Sequence, residues 1–107
     1  MHYYKYLYVP ENLEKKKKKI IRKLNANKLQ YDLYLMTLPM GASNQLEIIN
    51  SLELKQPSYP RENLFVVGFA KGYDEALELV EEITGNVYNE TQGADIRSYI
   101  LNKQREE

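Results

Sequence analysis

The chain predicts an α+β domain, a ferredoxin-like two-layer sandwich in the order β-α-β-β-β-α-β, with helices on one face of a mostly antiparallel sheet. Three observations carry this prediction. Leu64 to Ala70 is apolar on both faces, as a strand at the centre of a sheet is. After Gly72, Tyr73, Ala76, Val80, Ile83 and Val87 form one stripe with acids opposite, the pattern of a helix laid on a sheet. His2 to Val9 alternates with period two and is rich in aromatic and branched residues, as a strand is.

Taken in order, the first strand sets Tyr4, Tyr6 and Tyr8 on one side, with Tyr3, Lys5, Leu7 and Val9 on the other. Pro10 suits the first turn of a helix, and Glu11 and Glu14 suit its dipole. That helix runs to about Asn25 and buries Leu13, Ile20, Ile21 and Leu24. Lys16 and Lys17 lie on the same face, where their stems can cover apolar surface. Tyr31 to Leu38 is a second strand, stopped by Pro39, and Met40 to Ser43 makes a turn.

Leu46 to Leu54 fits two patterns. As a strand it pairs with Tyr31 to Leu38; as a helix, Asn44 and Glu47 would form a capping box. The short turn favours the strand, and the helical alternative turns the chain into a βαβαβα three-layer arrangement. Lys55 to Asn63, with Pro57 and Pro60, is a loop. Gly85 lies inside the acidic helix, and Gly93 is the expected stop. Ala94 to Leu101 alternates and reads as a last strand, with a short helix capped by Asp95 as the alternative. Residues 102–107 form a polar tail expected to fray.

At 107 residues this is a single domain, residues 1–107, able to close one core. Cysteine is absent, which excludes disulfides, thiolate nucleophiles and thiolate metal sites. The N-terminus does not resemble a signal peptide and no run is long enough to span a bilayer, so the expected address is cytoplasmic, without a membrane partner. The net charge of zero conceals a strong asymmetry. Between Met1 and Lys28, nine basic residues against two acids leave +7; between Gly72 and Ala94, six acids stand without a base. If those helices face different ways, the molecule carries a large dipole.

No motif brings catalytic chemistry with it. Gly68-Phe69-Ala70-Lys71-Gly72 precedes a helix but lacks the rest of a P-loop, and Asp74 and Glu75 would repel a phosphate there. It reads as a tight turn with a close helix–sheet approach. His2 is the only histidine, with no partners for a metal site or a triad, so neither metal nor cofactor is expected. Glu78 and Glu82 share a solvated face. Five consecutive lysines, Lys15 to Lys19, go right round a helix and make a solvated collar in place of a single basic face.

The tyrosines point to binding. There are ten, against two Phe and no Trp, so half-wet aromatic surface dominates. Tyr4, Tyr6 and Tyr8, joined by Tyr34 if their strands are neighbours, would line an outward sheet face. Such a face can stay solvated, pack against a second copy, or stack bases. An RNP1 pattern is not matched at Phe65 to Phe69, and the neutral charge weighs against nucleic acid.

The run Val66-Val67-Gly68-Phe69-Ala70-Lys71-Gly72-Tyr73-Asp74-Glu75-Ala76-Leu77-Glu78-Leu79-Val80 carries a resemblance, together with Thr91 and Asp95-Ile96-Arg97-Ser98-Tyr99. Leu46-Glu47-Ile48 and Tyr59 fit it too. These residues resemble a family of small uncharacterised proteins of anaerobic gram-positive bacteria. The resemblance implies a bacterial cytoplasmic setting and no catalytic residue. The expectation is therefore a non-enzymatic module that binds a ligand or partner and self-associates, most simply as a homodimer, through its tyrosine face. The alternative is a single-stranded RNA-binding module using the tyrosines and the lysine-rich helix. A third reading, a small acid–base enzyme, needs a pocket receiving Asp95, Arg97 or Tyr99.

Overall fold

The computed structural model describes residues 1–39 and 46–106. The turn expected at Met40 to Ser43 and the cap expected from Asn44 lie outside these residues. Four strands build one mixed sheet: β1 (His2–Tyr8), β2 (Leu33–Leu38), β3 (Glu47–Asn50) and β4 (Phe65–Lys71). Their spatial order is β1-β4-β2-β3. β1 runs parallel to β4, while β2 is antiparallel to both β4 and β3. The central pair is the most apolar: Leu33, Leu35 and Met36 on β2, with Val66, Val67, Phe69 and Ala70 on β4, have no exposed surface. The doubly apolar run of β4 thus occupies the middle of the sheet, as its sequence requires.

Three helices accompany the sheet. The first begins as a 3-10 segment at Glu11–Lys16 and continues as α1 (Lys17–Asn25); α2 is Tyr73–Thr91 and α3 is Ile96–Arg105. On one face, α2 and α3 bring Ala76, Leu79, Ile83, Val87, Ile96 and Ile100 against Tyr4, Met36, Leu38, Val67 and Ala70. On the other, Leu13, Ile20 and Leu24 cluster with Leu33, Leu35, Ile49, Val66 and Phe69. The helices therefore divide between the two faces, whereas the sequence predicts them together on one face. The reason lies in β2 and β4, whose apolar residues point both ways and need cover on both sides.

Ala94 to Leu101 is not a strand. Asp95 caps α3, its carboxylate accepting from the Ser98 amide at 3.1 Å and from the Ser98 hydroxyl at 2.8 Å. Ile96 and Ile100 recur at a spacing that suits one face of a helix as well as one face of a strand, and the cap decides between them. The expected polar tail also orders: α3 continues to Arg105, and its Gln104 clasps the outer edge of β1. The Gln104 carboxamide oxygen accepts from the Lys5 amide at 2.8 Å, and its nitrogen donates to the Tyr3 carbonyl at 3.5 Å. One side chain thus satisfies two backbone groups that an edge strand leaves open.

Leu46 to Leu54 divides between its two readings. Glu47–Asn50 pairs with β2, and Ser51–Lys55 is a 3-10 segment with Asn50 accepting from the Leu52 amide at 3.0 Å. The two glycines of β4 and its turn do conformational work. A Cβ on Gly68 would sit 2.6 Å from the Tyr8 carbonyl oxygen and 3.2 Å from Leu79 Cδ2, so this position admits β1 and α2 only without a side chain. Gly72 adopts φ 83, the bend that releases β4 into α2. At the other end of α2, Gln92 rather than Gly93 takes the left-handed cap, with φ 60.

Candidate functional site

The tyrosine face is not an open surface. Tyr4 is 3% exposed and sits beneath α2 and α3; Tyr8 and Tyr34 are half-buried against the same cluster. Only Tyr6 of the four expected residues projects, at 53%. Tyr4 does gather its strand mates, with ring centres 5.7 Å from Tyr6 and 6.3 Å from Tyr8. Tyr34 does not join them, because β4 lies between β1 and β2; its ring meets Tyr73 edge-on at 5.6 Å instead. Burial is also why the Tyr4 hydroxyl is pushed well above the ordinary tyrosine range. The acidic helix covers the very face that the alternation left without a partner.

A hollow of about 500 Å³ lies where α2 turns into α3, and Asp95 and Tyr99 line it with Glu90, Lys103 and Glu106. Their polar atoms engage one another. The Tyr99 hydroxyl donates to Glu90 at 2.9 Å, and the Lys103 ammonium sits 4.0 Å from Glu90 and 3.8 Å from Glu106. Desolvation and the Glu90 hydrogen bond push Tyr99 up to about 12, whereas the Ser98 hydrogen bonds hold Asp95 below the usual carboxylate range. Both move away from neutrality, the opposite of what general acid–base catalysis needs. Arg97, the third residue of that reading, donates to the Pro39 carbonyl at 2.6 Å.

The basic α1 and the acidic α2 pack their apolar residues on opposite faces of the sheet. Glu11, Glu75, Glu78 and Glu82 line one groove between the 3-10 segment and α2, where one oxygen of Glu75 is shielded without a hydrogen-bond partner. Elsewhere, Lys16, Lys19 and Lys23 share a face with spacings of three and four residues. Lys71, from the end of β4, joins them around a cleft of about 180 Å³ with Ile20 and Gln30. Among the described residues, no ion pair joins these four lysines to an acid.

Local structure explains the convergence. After α1 the chain doubles back along the helix: the Lys28 backbone amide donates to the Lys23 carbonyl at 2.9 Å, and the buried Gln30 side-chain nitrogen Nε2 donates to the Ile20 carbonyl at 3.3 Å. The Ser51 hydroxyl, donating to the Gln30 carbonyl at 3.2 Å, fixes this return from below. The Lys71 ammonium then holds the Tyr31 carbonyl at 2.9 Å, and the Gly72 amide holds the Asp32 carbonyl at 2.8 Å. The cleft is thereby framed by backbone rather than by flexible loops.

Lys15 to Lys19 straddle the 3-10 segment and α1, and reading the run as a collar passes over the cleft. Its signal was the subset Lys16, Lys19 and Lys23, at helical spacing, rather than the uninterrupted five. Lys71 had no local signal, because only the sheet brings it to α1. Among the described residues, no group of His, Cys, Asp and Glu side chains could hold a metal ion, and no helix is long and apolar enough to cross a membrane. Comparison with protein-family models, curated proteins and solved structures finds no match to this chain.

Proposed function

We propose that this chain is a non-enzymatic binding module that holds a phosphate-bearing anion in the lysine cleft between α1 and the end of β4. The observation that carries this reading is the convergence of Lys16, Lys19, Lys23 and Lys71 on one concave site. Four lysines lining one cleft repel one another, and an anion lying among them relieves that repulsion while gaining charge-assisted hydrogen bonds. The acids of α2 lie over the other side of the sheet, so they do not neutralise the cleft at contact distance. Lysine suits a phosphate group as a mobile point charge and asks for no planar, two-pronged ligand.

Self-association through Tyr4, Tyr6, Tyr8 and Tyr34 is not part of this reading, since three of those rings are covered. A bacterial, cytoplasmic setting, carried by the sequence resemblance, belongs to the same proposal. Isothermal titration with inorganic tripolyphosphate at low salt tests it. Saturable binding is expected, abolished by the pair Lys19→Glu and Lys23→Glu and weakened steeply by added salt. Equal binding by that charge-reversed pair would locate the anion elsewhere and overturn the proposal.

A further inference from the structure

We infer that the polymer served by this cleft is a single-stranded nucleic acid, its phosphates on the lysines and a base on the exposed Tyr31 ring beside them; this inference rests on the anion-binding reading above. The argument begins with side chains that burial does not explain. Tyr31 is 83% exposed and Leu29 66%, and they flank Gln30, the buried residue that lines the cleft. The Tyr31 carbonyl accepts from the Lys71 ammonium, so Tyr31, with its uncovered ring, neighbours two residues of the cleft, Gln30 and Lys71.

A small inorganic anion would use the lysines and leave Tyr31 and Leu29 with no role. A duplex would also leave them unused, because its bases are stacked and its phosphates present a wide, convex rod to a cleft of about 180 Å³. An unpaired strand uses lysines and ring alike: successive phosphates track the ammonium groups while a base lies on the Tyr31 face. Lysines read the backbone without regard to sequence, so the module recognises the class of strand rather than a particular word.

The test is fluorescence anisotropy with labelled oligo-U and oligo-dT strands of roughly ten nucleotides, a length one small module can cover. At low salt, saturable binding is expected, with log affinity falling against log salt at a slope of roughly −2 to −3 for three or four neutralised phosphates. Replacing Lys19 and Lys23 by Ala flattens that slope by about 1.4. Tyr31→Ala leaves the slope unchanged and weakens binding roughly 5- to 150-fold, as loss of one stacked base does. Circular dichroism checks that these surface variants stay folded. Unchanged affinity for Tyr31→Ala, or duplex bound as tightly as single strand, overturns the inference. Tripolyphosphate binding without oligonucleotide binding overturns it while leaving the anion site standing; failure of both ligands removes both. Preference for oligo-U over oligo-dT assigns the strand to RNA, and the reverse assigns it to DNA.

Discussion

Gly68 shows how much a single missing side chain can decide. Its Cα faces the Tyr8 backbone and Leu79 together, so β1, β4 and α2 meet at a point with no room for a methyl group. Gly68→Ala is expected to lower stability by about 1–3 kcal/mol, as overpacking does, read from urea unfolding followed by circular dichroism. Gly85→Ala is a useful companion: nothing lies within 4 Å of the added carbon, so the same substitution there should stabilise α2 by several tenths of a kcal/mol or more. The glycine pair in the sequence suggested a phosphate turn, and the structure uses it for close packing. That use was legible from the acids after Gly72, which already argued against a phosphate.

At the scale of elements, β1, β2, β4 and α2 were legible because their apolar periods are long and unambiguous. α3 was not, because Ile96 and Ile100 satisfy a period of two and a turn of helix equally, and only the Asp95 cap separates the cases. Ile100→Ala should cost about 2–5 kcal/mol, since the side chain is fully enclosed beneath α3. Were residues 94–101 a surface strand, the loss would be a few tenths. Asp95 adds a dependence on acid. Its hydrogen bonds to Ser98 favour the carboxylate in the folded state, so the stability they provide is present above the ordinary pKa of about 4 and is lost as pH falls through the depressed folded value. Asp95→Asn should remove that limb from a stability–pH curve. The 3-10 start at Glu11–Lys16 likewise escaped periodicity, and it breaks the regular 100° spacing on which the collar argument rested.

For the whole molecule, the charge asymmetry was legible in the chain, but its meaning was not. Only the fold shows that α1 and α2 lie on opposite faces, so their charges do not cancel at contact. The tyrosines supply a second global property. Burial pushes Tyr3 and Tyr99 up to about 12 and raises Tyr4 and Tyr59 as well, so the folded state holds phenolic protons that the unfolded chain releases near pH 10. Stability should therefore be level below pH 10 and fall between about 10 and 12, with tyrosinate absorbance rising as helical circular dichroism is lost. Phenolate appearing near pH 10 without unfolding would place those rings in water. The Gln104 clasp has a larger consequence still. By engaging the Tyr3 carbonyl and the Lys5 amide, it leaves fewer open backbone groups on the β1 border for another strand to pair with.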